Sequence, residues 1–158
     1  MKKGLIGSAL LLSLSGGVSA LPLETFAILG YATGGDSYNV QFDNGKSSAV
    51  NFGGGLRLGT GVLYKRPAWP VEIQTSLSLY SSTVSASNGD ISFWRNPLDV
   101  SAFYTYKGFR LGAGLTHHFH VQLEQDLNND GSLVTYDNAT GWLLEFDWRI
   151  PNSQWQLG

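Results

Sequence analysis

Hydrophobic and polar positions alternate along most of the chain. The clearest case is Val100 to Val121. Past Lys107-Gly108, Phe109, Leu111, Ala113, Leu115, Phe119 and Val121 fall on one side, and Arg110, Gly112, Gly114, Thr116, His118 and His120 on the other. His117 alone interrupts the apolar row. A period of two predicts β-strands, and Lys107-Gly108 reads as a two-residue hairpin turn between two of them. The same rule predicts strands over Thr25–Gly34, Gly54–Lys65, Trp69–Ser81, Ile91–Tyr106, Phe109–Val121 and Gly141–Ile150, with a seventh starting at Gln154–Gly158. Pro97, inside the fourth, predicts a bulge or a locally unpaired position. Polar, turn-rich stretches at Gly35–Gly53, Ser82–Asp90 and Gln122–Thr140 read as long loops, and Arg66-Pro67-Ala68, Lys107-Gly108 and Pro151-Asn152-Ser153 as short turns.

The alternation alone does not say which face is inside. A soluble, lipocalin-like barrel puts the apolar face inward, whereas a membrane barrel turns it to lipid. Three features favour the membrane assignment. Connections alternate long and short, as in outer-membrane barrels with long outer loops and short periplasmic turns. Arg57, Glu72, Asp99, Arg110, Glu145, Asp147 and Arg149 all lie on the non-apolar faces, where charges of both signs can pair and fill a small lumen. Tyr64, Trp69, Tyr104, Tyr106, Phe109, Trp142, Trp148 and Trp155 lie near strand ends, where aromatic girdles sit.

The N-terminus adds an export signal. Met1-Lys2-Lys3 is basic, Leu5–Leu14 is mainly apolar, and Val18-Ser19-Ala20 fits a small-x-small cleavage site. Residues 1–20 are therefore expected to be a signal peptide and residues 21–158 a single barrel domain. The net charge of −2 offers no basic patch for nucleic acid. The absence of cysteine removes disulfides, thiolate catalysis and zinc–thiolate sites.

Ile28-Leu29-Gly30-Tyr31-Ala32-Thr33-Gly34-Gly35-Asp36, Ser87-Asn88-Gly89-Asp90 and Phe109-Arg110-Leu111-Gly112-Ala113-Gly114 carry a family likeness. From Leu21 to Gly158 the chain resembles the small eight-stranded outer-membrane β-barrels of the OmpA/OmpX type, and within them uncharacterised barrels of Gram-negative bacteria. The resemblance implies an all-β, antiparallel up-and-down transmembrane barrel in the cell outer membrane. It implies contact with outer-membrane lipid and lipopolysaccharide, and with the barrel-insertion machinery during biogenesis. It implies little about activity, since the architecture hosts plugs, adhesins, enzymes and small pores; the expectation here is a monomer with a structural or surface-interaction role and no catalytic residues. Such barrels finish on a strand with a terminal aromatic, and this chain stops at Trp155-Gln156-Leu157-Gly158. The expectation is a chain truncated before its last strands, with an open edge beside the seventh.

Candidate chemistry is sparse. Asp126, Asn128, Asp130, Ser132 and Asp137 match the spacing of a calcium loop, with Gly131 for its sharp turn. Against this, position twelve is Asp and helical flanks are missing, so the competing reading is a solvated loop. No other cofactor is expected. His118 and His120 share a face and could together hold a metal with a third ligand from elsewhere, but a polar barrel rim is the preferred reading. A lipid-modifying barrel hydrolase would pair an outer-wall histidine with a serine. His117 is the one histidine on the apolar face, and no serine follows two residues on. Gly53-Gly54-Gly55 lacks the lysine of a phosphate loop. Mixed lumen charge favours a plug over a small channel.

Overall fold

The computed structural model describes residues 9–12, 22–32, 37–41, 47–51, 54–86, 89–127, 130–153 and 155–158. The strands are β1 (Ala9–Leu12), β2 (Leu23–Ala32), β3 (Ser37–Gln41), β4 (Ser47–Asn51), β5 (Gly55–Lys65), β6 (Val71–Ala86), β7 (Gly89–Tyr106), β8 (Phe109–Leu127), β9 (Asp130–Tyr136), β10 (Ala139–Arg149) and β11 (Trp155–Leu157). Among the described residues no helix is long and apolar enough to cross a membrane. The fold is all-β, antiparallel and up-and-down. The main sheet runs β10-β11-β1-β2-β5-β6-β7-β8-β9, and β8 also pairs with β10, so the curled sheet meets itself. β3 and β4 form a separate hairpin between β2 and β5.

Each expected strand from the first to the sixth is present. At Lys107 and Gly108 φ is 50° and 88°, the left-handed pair that a tight hairpin with native twist requires. The expected loops differ. Ser82–Asp90 is taken up by β6 and β7, which pair to Ala86↔Gly89. Gln122–Thr140 is taken up by the outer part of β8, all of β9 and the start of β10. Gly35–Gly53 contains the β3–β4 hairpin. These stretches looked like loops because their polar residues interrupt the apolar face, yet a strand needs only paired backbone and one buried side.

A bulge explains the interruption. The β7–β8 register shifts between Trp94 and Asn96, opposite His120, where φ is +50°. An extra residue reverses which side chains point inward beyond it. Below the bulge the inward positions of β8 are Arg110, Gly112, Gly114, Thr116 and His118; above it they are Val121, Leu123 and Gln125. Val121 therefore leaves the outer row assigned from periodicity, and His120 leaves the face of His118. Above the bulge Ile91, Phe93 and Leu123 are buried, so this end has an apolar interior.

The expected open edge lies beside β11. In the folded chain the backbone of Ala9–Leu12 stands there, with Leu10 paired to both Leu157 and Leu29. A free strand edge has backbone N–H and C=O groups that need partners, and β1 supplies them. The rest of the expected signal peptide lies outside the described residues.

The lower interior is filled by large side chains set against glycine. Phe26 occupies the space beside Gly61, and Phe103 that beside Gly112. A Cβ at Gly112 would lie 2.5 Å from the Phe103 ring, which is fully buried. Gly112→Ala is therefore expected to cost about 1–3 kcal/mol through overpacking, read as a lower urea midpoint at unchanged slope.

Candidate functional site

The inward positions of β5, β6, β7, β8 and β10 bring charge together in the lumen. Glu72 on β6 is the lower hub and only 2% exposed. Both its oxygens accept from Arg149 on β10, at 2.9 and 2.6 Å. Arg110 Nε lies 3.0 Å from Glu72 Oε2 but out of line for a hydrogen bond. Lys65 Nζ is 3.9 Å from the same carboxylate, at its more open side.

Arg110 on β8 is the second hub, 1% exposed at its side chain. Its Nη1 donates to Asp147 at 2.9 Å and its Nη2 to Gln74 at 3.1 Å. Its guanidinium carbon sits 3.8 Å from the centre of the Phe103 ring, a cation–π contact. Gln156 Nε2 donates to Asp147 at 2.7 Å, and Ser101 Oγ to Glu145 at 2.6 Å. Strand pairing explains the first of these meetings, since Asp147 stands directly opposite Arg110. The Arg149–Glu72 pair instead joins strands that are not neighbours, so it crosses the interior.

A smaller group lies higher. Arg57 Nη2 donates to Asp99 at 2.7 Å and its Nε to Ser78 at 3.0 Å. Arg57 and Arg95 both approach the Tyr80 ring, at 5.4 and 4.5 Å. Here two guanidiniums face one carboxylate, whereas the lower group balances Arg110, Arg149 and Lys65 against Glu72, Asp147 and Glu145. A guanidinium removed from water without a carboxylate is costly, and the Tyr80 face offsets part of that cost.

All seven charges read as inward from the sequence lie in these two groups. Alternation puts Gln74 on the same face as Glu72. The contributions of Tyr80 and Gln156 come from strand register, which sets Tyr80 opposite Arg57 and Arg95 and Gln156 opposite Arg149.

The calcium-spaced residues are distributed otherwise. Asp126 pairs with Gly131 across the β8–β9 hairpin and is exposed, and Ser132 is exposed opposite Gln125. Asn128 lies outside the described residues, and Asp130 pairs with Leu127 through its backbone. Asp137 is exposed just past the far end of β9, roughly 20 Å along the strand from the hairpin turn at ~3.3 Å per residue. The structure thus does not bring Asp137 to Asp126. Among the described residues no three His, Asp or Glu side chains group as a metal site.

The histidines separate too. His117 is exposed, and its Nδ1 is 2.9 Å from Thr140 Oγ1. His118 is half-buried with Nε2 3.5 Å from Thr116 Oγ1, and His120 is exposed beside Phe119.

The outer wall is the counterpart of this interior. Leu58, Val62, Ile73, Leu77, Val100, Leu111, Leu144 and Phe146 are exposed, Leu144 to 83%. Below the bulge the charged and polar groups share the interior with Phe26, Leu63 and Phe103, while aliphatic groups cover the outside. What the interior can do chemically is hold strands together across the lumen by buried ion pairs. No protein-family model, curated protein or solved structure matches the chain.

Proposed function

We propose that the chain is an outer-membrane β-barrel whose lumen is plugged by paired charges, and that its role is structural or surface-interacting. The observation that carries this reading is the inverted facing of side chains around Glu72, Arg110 and Asp147. In water, a continuous apolar band of this kind is an aggregation or interaction surface. In lipid it is the expected exterior of a barrel. The bulge supports the same reading. Beyond it the interior turns apolar while Glu124 and Asp126 face outward, the ordinary pattern of a wall standing in water. Tyr31, Tyr64, Trp69, Tyr104, Tyr106 and Phe109 are exposed near strand ends, at the level of an aromatic girdle.

Expression in a Gram-negative host tests this directly. The protein is expected in the outer-membrane fraction, beginning at Leu21, with faster gel migration before boiling than after; that cleavage removes β1, so β11 and β2 then need another partner at the place β1 holds. Recovery as a folded, detergent-free soluble protein would replace the reading with that of a soluble binder. A small channel is the second reading, and planar bilayers separate the two. Ion pairs crossing the lumen, as between Arg149 and Glu72, predict no unitary conductance. Steady conductance steps would make the chain a pore.

A further inference from the structure

We infer that the cavity at the β7–β8 bulge is a binding site for a small anion with an apolar body, of the monocarboxylate class. The cavity measures about 270 Å³ and is lined by Phe93, Arg95, His118, Val121, Tyr136, Asp137 and Ala139. The bulge makes it. With strict alternation His118 and Val121 would point to opposite sides, and the left-handed residue at His120 turns both to the same cavity. Bulges recur beside binding sites for this reason.

Two features specify an anion. Arg95 Nε and His118 Nδ1 are both buried without a hydrogen-bond partner among the described residues. Burying a donor unpaired costs about 1–3 kcal/mol, so two such donors beside one cavity call for an acceptor. Where the Thr116 hydroxyl, 3.5 Å from His118 Nε2, donates to it, the ring proton sits on Nδ1, and Nδ1 and Arg95 Nε then both donate toward the cavity. Charge points the same way. Among the described residues Asp99 is engaged by Arg57, and no carboxylate lies within ion-pair distance of Arg95. Asp137 lies at the exposed rim and repels a dianion more than a monoanion.

The remaining lining specifies the body of the ligand. Phe93, Val121, Tyr136 and Ala139 offer mainly carbon. At ~30 Å³ per water-sized group the volume holds roughly nine such groups, about the size of benzoate. The inference does not depend on what covers the outer wall.

Equilibrium dialysis of labelled benzoate against the folded full chain in non-ionic detergent tests it, with benzyl alcohol as the uncharged analogue. Benzoate is expected to bind saturably, one per chain, about tenfold or more tighter than the alcohol, as a charge-assisted hydrogen bond implies. Arg95→Gln is expected to weaken benzoate by a similar factor and leave the alcohol unchanged. Arg66→Gln, in the exposed turn beside Trp69, is expected to bind as the parent does. Should Arg95→Gln not fold, His118→Phe removes the second donor, and competition by chloride on the unaltered chain reads the charge requirement. Equal binding of benzoate and alcohol, no saturable binding in the millimolar range, or full affinity in a folded Arg95→Gln chain would each overturn the inference.

Discussion

Arg110→Ala is expected to destabilise the folded chain by about 3–5 kcal/mol, the cost of leaving a buried ion-pair partner uncompensated. The residue touches Glu72, Asp147, Gln74 and Phe103 at once. Its loss leaves Asp147 with Gln156 as its remaining neutral donor, while Glu72 keeps Arg149. Asp147 is therefore the group that suffers most. The measurement is a urea titration of the chain folded into lipid vesicles or detergent, followed by tryptophan fluorescence and by gel migration without boiling. Arg110→Lys keeps the charge but loses the planar fork that serves Asp147 and Gln74 together. It should recover part of the loss. Arg110→Ala/Asp147→Asn should be milder than the sum of its singles, because the two residues share one interaction. A loss under about 1 kcal/mol for Arg110→Ala, a value typical of exposed pairs, would mean that water reaches the lumen charges.

Leu77→Arg is expected to cost about 2–4 kcal/mol when the chain folds into lipid, the range for a cation on the outer face at mid-membrane. Leu77 lies in the middle of the wall, paired with Thr60 and Leu98, and points outward at 46% exposure. The same substitution in a soluble barrel falls at an exposed site and should stay within about 0.5 kcal/mol. Glu124→Arg, beyond the bulge on an outward position, serves as the comparison and should change little in either case. Folding free energies in vesicles for the two variants therefore read the environment of each half of the wall. Equal, small effects would remove the membrane reading, and a large effect at Leu77 alone would support the bulge as the boundary between lipid and water.

The calcium spacing is legible in the sequence, while the described parts of that stretch are extended strand up to Tyr136. Asp126, Asp130 and Asp137 satisfy the intervals of a ligand loop in the sequence, but those intervals assume a coiled backbone. The chain between them forms a hairpin, and an extended strand spends about 3.3 Å per residue moving apart. Leu133, Val134 and Tyr136 make β9 a plausible strand in composition. Once β8 continued past the bulge, its backbone offered them a ladder.

By itself, the sequence determined the class and the wall. Alternation over Gly55–Lys65, Val71–Ser81, Leu98–Tyr106 and Phe109–His118 fixes which residues share a face, because a strand's side-chain period is two whatever the surroundings. It also fixed that Arg57, Glu72, Asp99, Arg110, Glu145, Asp147 and Arg149 lie on one side. Tertiary structure decided the rest. Which charge meets which depends on curvature that carries Arg149 across to Glu72, a contact between strands far apart in the chain. The reversal at His120 depends on one residue more in β8 than in β7, a mismatch that exists only between two strands and is invisible in either. The cavity beside Arg95 and His118 follows from that same extra residue. Both side chains already point inward by alternation, and the bulge brings Val121 in beside them, so that the space they share lies at the change from polar to apolar interior.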